Sequence, residues 1–383
     1  MTIDPGEAVV DVPRGGLDRE AEVPAARILA FATLGHESSD ADRLRELLAR
    51  LDAAEFPFDR SRKARMFFGL LGEIRRRRPE LVVMEGTGIA GGLALIIGRL
   101  VLGCRYVVSS GDAVGPWVGA ASRWLGPFFG LYERVLCRLS SGFIGWTPYL
   151  VGRALTFGAP RGMTAAGWAP FSRTSAQRAS DRRRLRERLS IPPENLVVGI
   201  AGTLKWSGRR RYCYGMELIE AARRIARADV TFLIVGDGDG RARLEALAVG
   251  LPPGRVVFVG RVPREELPAY YATMDAGSLP QSVDGVGSFR YTTKLSEYLA
   301  FGLPIFTGRI PLAYDLDDGW IWRLQGEVPW SPEYVDSLAA AIDSAHILEI
   351  RRKQAAVPVE PHQFDLDSQV RRVTSFLDDL LAG

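Results

Sequence analysis

Short apolar runs along the chain alternate with longer stretches whose apolar positions recur every three or four residues. Residues 27–32 (RILAFA) read as a first strand, and residues 40–52 carry Leu44, Leu47, Leu48 and Leu51 at helical spacing. Runs at 81–84, 106–109 and 143–146 predict further strands with helices between them. A stretch at 170–190, rich in Ser and Arg, breaks the rhythm. It then resumes, with strands expected at 196–201, 231–235, 256–259, 276–279 and 304–307, and helices at 216–227, 241–249, 265–273 and 294–301. Alternation of this kind predicts parallel, helix-covered sheets, and two successive sets predict an α/β chain of two Rossmann-like lobes with a cleft between them. The expected boundaries are a disordered leader at 1–22, an N-terminal domain at 23–170, a linker at 171–190 and a C-terminal domain at 191–362. A last helix is expected within 363–383.

Composition narrows the class. The chain has 383 residues, 47% hydrophobic and 25% charged, which excludes a mostly disordered, collagen-like or coiled-coil protein. Its three cysteines, Cys104, Cys137 and Cys213, form no CxxC pair, so neither a zinc knuckle nor a disulfide framework is expected and a reducing cytoplasm is. The uncharged windows are too short for a spanning helix, and the acidic, proline-bearing start does not read as a secretory signal. Charge is uneven. Residues 60–161 hold 15 Lys/Arg against five Asp/Glu and include Trp117, Trp124, Phe128 and Phe129. That balance suits an anionic partner: a phosphate-bearing substrate or, at the periphery, an anionic membrane. A packed helix pair under a solvated basic surface is the plainer reading. Arg75–Arg78 reads as a solvated helix end, and no nucleic-acid recognition module is present.

Three segments carry candidate chemistry. Residues 198–208 (VGIAGTLKWSG) join a buried strand to a loop in which Gly202 permits close approach and Lys205 can neutralise a phosphate. Residues 234–240 (IVGDGDG) miss the dinucleotide spacing, because Arg241 stands where the last glycine is required. Residues 291–304 (YTTKLSEYLAFGLP) are the most informative. Thr292 or Thr293 can cap a helix whose free N–H groups attract an anion, and Glu297, a turn further, can accept two hydroxyl hydrogen bonds from a ribose.

This last segment resembles the K-L-x-E-Y-x-A-x-G-x-P signature of retaining GT-B glycosyltransferases of family 4. Residues 199–208, 231–238, 256–271 and 274–280 resemble further family segments in the same order. The resemblance implies a GT-B fold, with the terminal helix within 363–383 packing back toward the N-terminal domain, and transfer of a sugar with retention, from a nucleotide-diphosphate donor to a glycan, lipid-linked or small-molecule acceptor. It implies no metal and no cofactor beyond that co-substrate. By the same resemblance Glu297 binds the ribose, the backbone N–H groups of Tyr291, Thr292 and Thr293 cradle the distal phosphate, and Lys205 stabilises the leaving diphosphate. Arg209 competes with Lys205 for that role, Lys294 assists, and Gly202 and Thr203 border the donor. Two positions depart from the pattern. Phe289 stands where a second Glu is common, with Asp284 and Gly285 offered as a replacement, and Thr203 stands where an arginine is common. In the N-terminal domain, Asp112 is the candidate catalytic group near the donor sugar. Gly35, His36, Glu85 and Gly86 are candidates for the acceptor side. A non-catalytic nucleotide-sugar-binding subunit and a GT-B epimerase remain the alternatives.

Overall fold

The computed structural model describes residues 26–171, 173–358 and 362–383, so the expected leader lies outside the described residues. The first sheet comprises β1 (Ile28–Ala32), β2 (Ala53–Glu55), β3 (Leu81–Glu85), β4 (Tyr106–Ser110), β5 (Gly142–Gly145) and β6 (Gly162–Thr164). All its pairings are parallel, in the order β2-β1-β3-β4-β5-β6. The second comprises β7 (Leu196–Ala201), β8 (Val230–Val235), β9 (Val256–Gly260), β10 (Ala276–Leu279), β11 (Ile305–Gly308) and β12 (Ile321–Leu324). It is also parallel throughout, in the order β12-β11-β10-β7-β8-β9. Helices cover both faces of each sheet. Inner strands such as LVVGIA and VTFLIV are therefore buried at every position, which is why they read as continuous apolar runs.

The apolar pattern does not announce β2, β6 or β12. Each lies at a sheet edge, is three or four residues long, and takes its strand form from the neighbour it pairs with. The stretch expected as linker is mostly the helix Ser175–Arg188, opened by a Thr174–Gln177 capping box. Arg182 and Arg186 bind the Asp275 carboxylate at 2.6 and 2.7 Å, which fastens this helix to the C-terminal lobe. The last helix, Leu366–Ala382, crosses back. Its Val373, Leu377 and Leu380 share a core with Ile28, Leu44 and Val107 of the N-terminal lobe. Among the described residues no helix is long and apolar enough to cross a membrane.

Candidate active site

Strand order reverses once in each sheet, between β1 and β3 and between β7 and β10. Loops leaving the carboxyl ends of such a pair diverge to opposite faces and open a crevice. Both crevices face the same interlobe cleft, of about 800 Å³, which adjoins a smaller pocket of about 350 Å³. Thr203, Thr293 and Lys294 line both.

The smaller pocket belongs to the C-terminal lobe. Glu297 lines it, and its Oε2 accepts a hydrogen bond of 2.5 Å from the Tyr271 hydroxyl. Burial first, and then the neighbouring carboxylate, push the Tyr271 hydroxyl well above its usual range, so it stays a donor. Its ring is wedged among Phe171, Tyr298 and Phe301. The Glu297 carboxylate is thereby held in one orientation with its other oxygen available to a ligand. The glycine run of residues 236–240 proves to be a packing platform for the loop after β7. A Cβ on Gly236 (φ +135°) would lie 1.9 Å from the Gly202 carbonyl oxygen. Leu204 N–H donates to the Asp237 carbonyl at 3.0 Å, and Gly240 N–H donates to the Leu204 carbonyl at 2.9 Å.

Helix Thr293–Ala300 points its N-terminus into the junction of the two cavities. Thr292 is its N-cap, yet the Thr292 hydroxyl makes no capping bond and is buried without a partner. The backbone N–H groups of Tyr291, Thr292 and Thr293 make no hydrogen bond among the described residues. Donors in this arrangement form an anion site with the helix dipole behind them. Lys294 adds a cation there. Its Nζ lies 4.5 Å from the Tyr214 ring centroid, over the ring, and 3.0 Å from where a Cβ on Gly202 would sit. Glycine at 202 is what leaves the ammonium its space.

Other candidates are placed differently. Lys205 is exposed and lines neither cavity. Arg209 donates to the Ala120 carbonyl across the lobes and also lines neither. Asp284 caps its own loop, with Oδ1 accepting from Val286 and Gly287 N–H at 2.8 Å each. Burial opposes its charge, but those N–H bonds, together with the Ser282 hydroxyl and the Arg210 cation, outweigh burial and hold the carboxyl below its usual range. Gly285 abuts Pro116 of the other lobe. Phe289 packs against the N-terminal core, and its carbonyl accepts from the Thr147 hydroxyl at 2.8 Å.

On the N-terminal side, Gly86 and Asp112 line the cleft, whereas Gly35 and His36 sit outside it. Gly86 (φ +83°) lets the loop after β3 close on Thr33, whose hydroxyl oxygen would lie 2.4 Å from a Cβ there. Glu85 lies beneath, buried, accepting from Trp146 Nε1 at 3.0 Å and facing the Arg43 guanidinium at 3.7 Å. Asp40 also lines the cleft, and burial first, then Glu85, push its carboxyl up to about 6, with Arg43 offsetting part of the shift. Asp112 is bound across the cleft to Arg290, Nε to Oδ1 at 2.9 Å. Trp146 and Arg290 are not singled out by the sequence as site residues, whereas Tyr271 closes the family-like segment 256–271 and Asp40 closes the polar run 33–40 (TLGHESSD) at the end of the first strand.

Residues 196–346 match the family model of glycosyl transferases group 1. A 2-deoxystreptamine glucosyltransferase of Streptomyces kanamyceticus is 34% identical over 109 residues, a match that covers 27% of this chain and 27% of that enzyme's length. Among solved structures, Anabaena Alr3699/HepE in complex with UDP-glucose aligns with a TM-score of 0.66 at 16% identity, over 92% of this chain and 99% of its own. Sucrose-phosphate synthase from Thermosynechococcus elongatus aligns at 0.64 and 12% identity, over 93% and 99%. Residues 196–346 thus match a group 1 glycosyl transferase domain, in a chain whose two six-stranded parallel sheets take the two-lobed GT-B fold of those solved structures.

Proposed function

We propose that the protein transfers a sugar, with retention and without a metal, from a nucleoside diphosphate sugar on the C-terminal lobe to an acceptor on the N-terminal lobe. The observation that carries this reading is the meeting of Glu297, Lys294 and an open helix N-terminus at the junction of two connected cavities. A ribose against Glu297 would lie about one helical turn from that N-terminus, a span that fits a nucleotide. The diphosphate would then meet the N–H groups of residues 291–293 and the Lys294 ammonium. Negative charge on the diphosphate grows as the glycosidic bond breaks, so preorganised donors there lower the barrier. The sugar would extend into the larger cleft toward Asp112 and Asp40. HepE was crystallised with UDP-glucose, which supports a uridine diphosphate sugar as the first donor to try. The three buried, unpaired cysteines suit a cytoplasmic setting.

Titration calorimetry with UDP and UDP-glucose tests this reading. Glu297→Ala removes charge-assisted hydrogen bonds worth about 1.5–3 kcal/mol, or about ten- to a hundredfold in affinity. Unchanged donor affinity in that variant removes Glu297 from the site. Tight donor binding with no turnover on any acceptor would favour a binding subunit, and donor conversion without an acceptor would favour an epimerase.

A further inference from the structure

Helices at a protein surface ordinarily turn polar residues to water. Helix Ile89–Leu102 does not. Ile89, Leu93, Ile97, Leu100 and Val101 follow one stripe along it, 38–73% exposed, and Arg99 is its only charged residue. It packs between helices Lys63–Arg77 and Gly126–Leu139, which carry that apolar surface further on both sides. Phe68 on the first is 70% exposed, and Phe128 and Leu131 on the second are 70% and 63% exposed. Trp124, in the turn before the second, is 85% exposed.

Glycines explain the outward rings. Helices Val114–Ala121 and Gly126–Leu139 meet through Gly115 against Gly130 and Gly119 against Gly126. A Cβ on Gly115 or on Gly126 would lie 3.0 Å from the facing glycine's Cα. Small residues fill the contact between the two backbones, so the large rings are left on the outside. The result is a contiguous apolar face of a kind that monomeric proteins rarely leave in water. Arg60, Lys63, Arg65, Arg99 and Arg123 stand exposed around it and have no acidic partner among the described residues. The face also runs into the cleft, since Ile89, Trp117, Arg60 and Lys63 line the mouth of the acceptor side.

We propose that this face docks on an anionic lipid bilayer, with the mouth of the acceptor cleft at headgroup level. Tryptophans and apolar stems enter the headgroup boundary while the cations hold lipid phosphates, a pairing suited to an interface and not to water. A second copy of the chain fits less well, because a two-fold contact through this face would set two basic rims against each other. Access of a lipid-anchored acceptor from the bilayer rests on the transfer reading above; the docking itself does not.

The test uses the full-length chain without donor, in flotation with phosphatidylcholine vesicles with or without phosphatidylglycerol. Protein should float with the anionic vesicles at low salt, at least about tenfold more than with neutral ones, and should be released near ~0.5 M salt. Joint Leu100→Glu, Trp124→Glu and Phe128→Glu substitution should lower flotation by about tenfold or more, through loss of insertion and added repulsion. All three side chains are exposed and line neither cavity, so melting temperature and UDP affinity should not change. Three results would overturn the proposal. One is no flotation of the parent chain on anionic vesicles, and another is equal flotation of the triple variant. The third is sedimentation showing a dimer that the triple variant dissociates, with no vesicle binding. Loss of UDP affinity in Glu297→Ala without any change in flotation keeps the donor site and the docking face separable.

Discussion

Lys294 and Glu297 stand three residues apart on one helix, and on the proposed reading their spacing would divide a donor between them. Lys294 faces the junction where phosphates would lie, and Glu297 faces the pocket where a ribose would lie. Lys294→Ala should therefore lower kcat by about ten- to a hundredfold and donor affinity by less, because its cation matters more as charge develops. Lys205→Ala should change kcat little, since that side chain is exposed outside both cavities. Steady-state kinetics of the two variants side by side decide between them, and a larger loss in Lys205→Ala would return the role to the loop after β7. Asp40 poses a different question. Its carboxyl is raised by burial beside Glu85, so protonation favours the folded state. The penalty for its charge is absent below its unfolded value near 4 and complete above about 6. Asp40→Asn should thus raise the melting temperature at pH 8 by on the order of a few degrees and scarcely alter it near pH 3, below both values. An equal rise at both pH values would mean that the gain has nothing to do with ionisation.

Among the elements, the loops matter more than the strands that hold them. The 236–240 run shapes the loop after β7 by lying against its backbone, and its Gly236 and Asp237 line the smaller pocket. Gly236 combines φ of +135° with a facing carbonyl 1.9 Å from any Cβ, so Gly236→Ala must move backbone. The expected cost is more than about 2 kcal/mol, together with weaker donor binding, read by chemical denaturation and calorimetry. Stability unchanged within about 0.5 kcal/mol would show that the two loops separate freely. The helix of residues 293–300 shows a second kind of logic. Its N-cap threonine leaves its hydroxyl unused, which is wasteful in a purely structural cap and intelligible at an anion site.

Across the whole molecule, the chain passes between lobes twice, and the second passage builds stability into the lobe it ends on. Leu377 is fully buried in the N-terminal core although it lies near the C-terminus. Leu377→Ala should cost about 2–5 kcal/mol. Hydrogen exchange should speed up in β1, β3 and β4 while β7, β8 and β10 keep their protection. Uniform loss across both sheets would show that the lobes unfold as one unit. The lobes also touch near the cleft, through Arg290 with Asp112, Arg209 with the Ala120 carbonyl, and Tyr149 with Asp315. Two of these ties are made by groups that the sequence singled out for chemistry, Asp112 and Arg209.

The sequence by itself determined the inner strands, the two-lobed α/β class and the helix Thr293–Ala300. Strands buried on both faces must be apolar throughout, and a helix that ends in Gly302 and begins at a threonine pair is punctuated locally. Tertiary structure alone decided the rest. Edge strands β2, β6 and β12 exist because a neighbour offers hydrogen bonds, which no local pattern records. Lys294 lines the cleft and Lys205 does not, because helix geometry and the bare Gly202 leave the first its space there, whereas the two lysines look alike in sequence. The aromatic cluster of residues 117–129 could be core or surface as written. Only the packing of glycine on glycine, a contact between segments, turned Trp117, Trp124 and Phe128 outward.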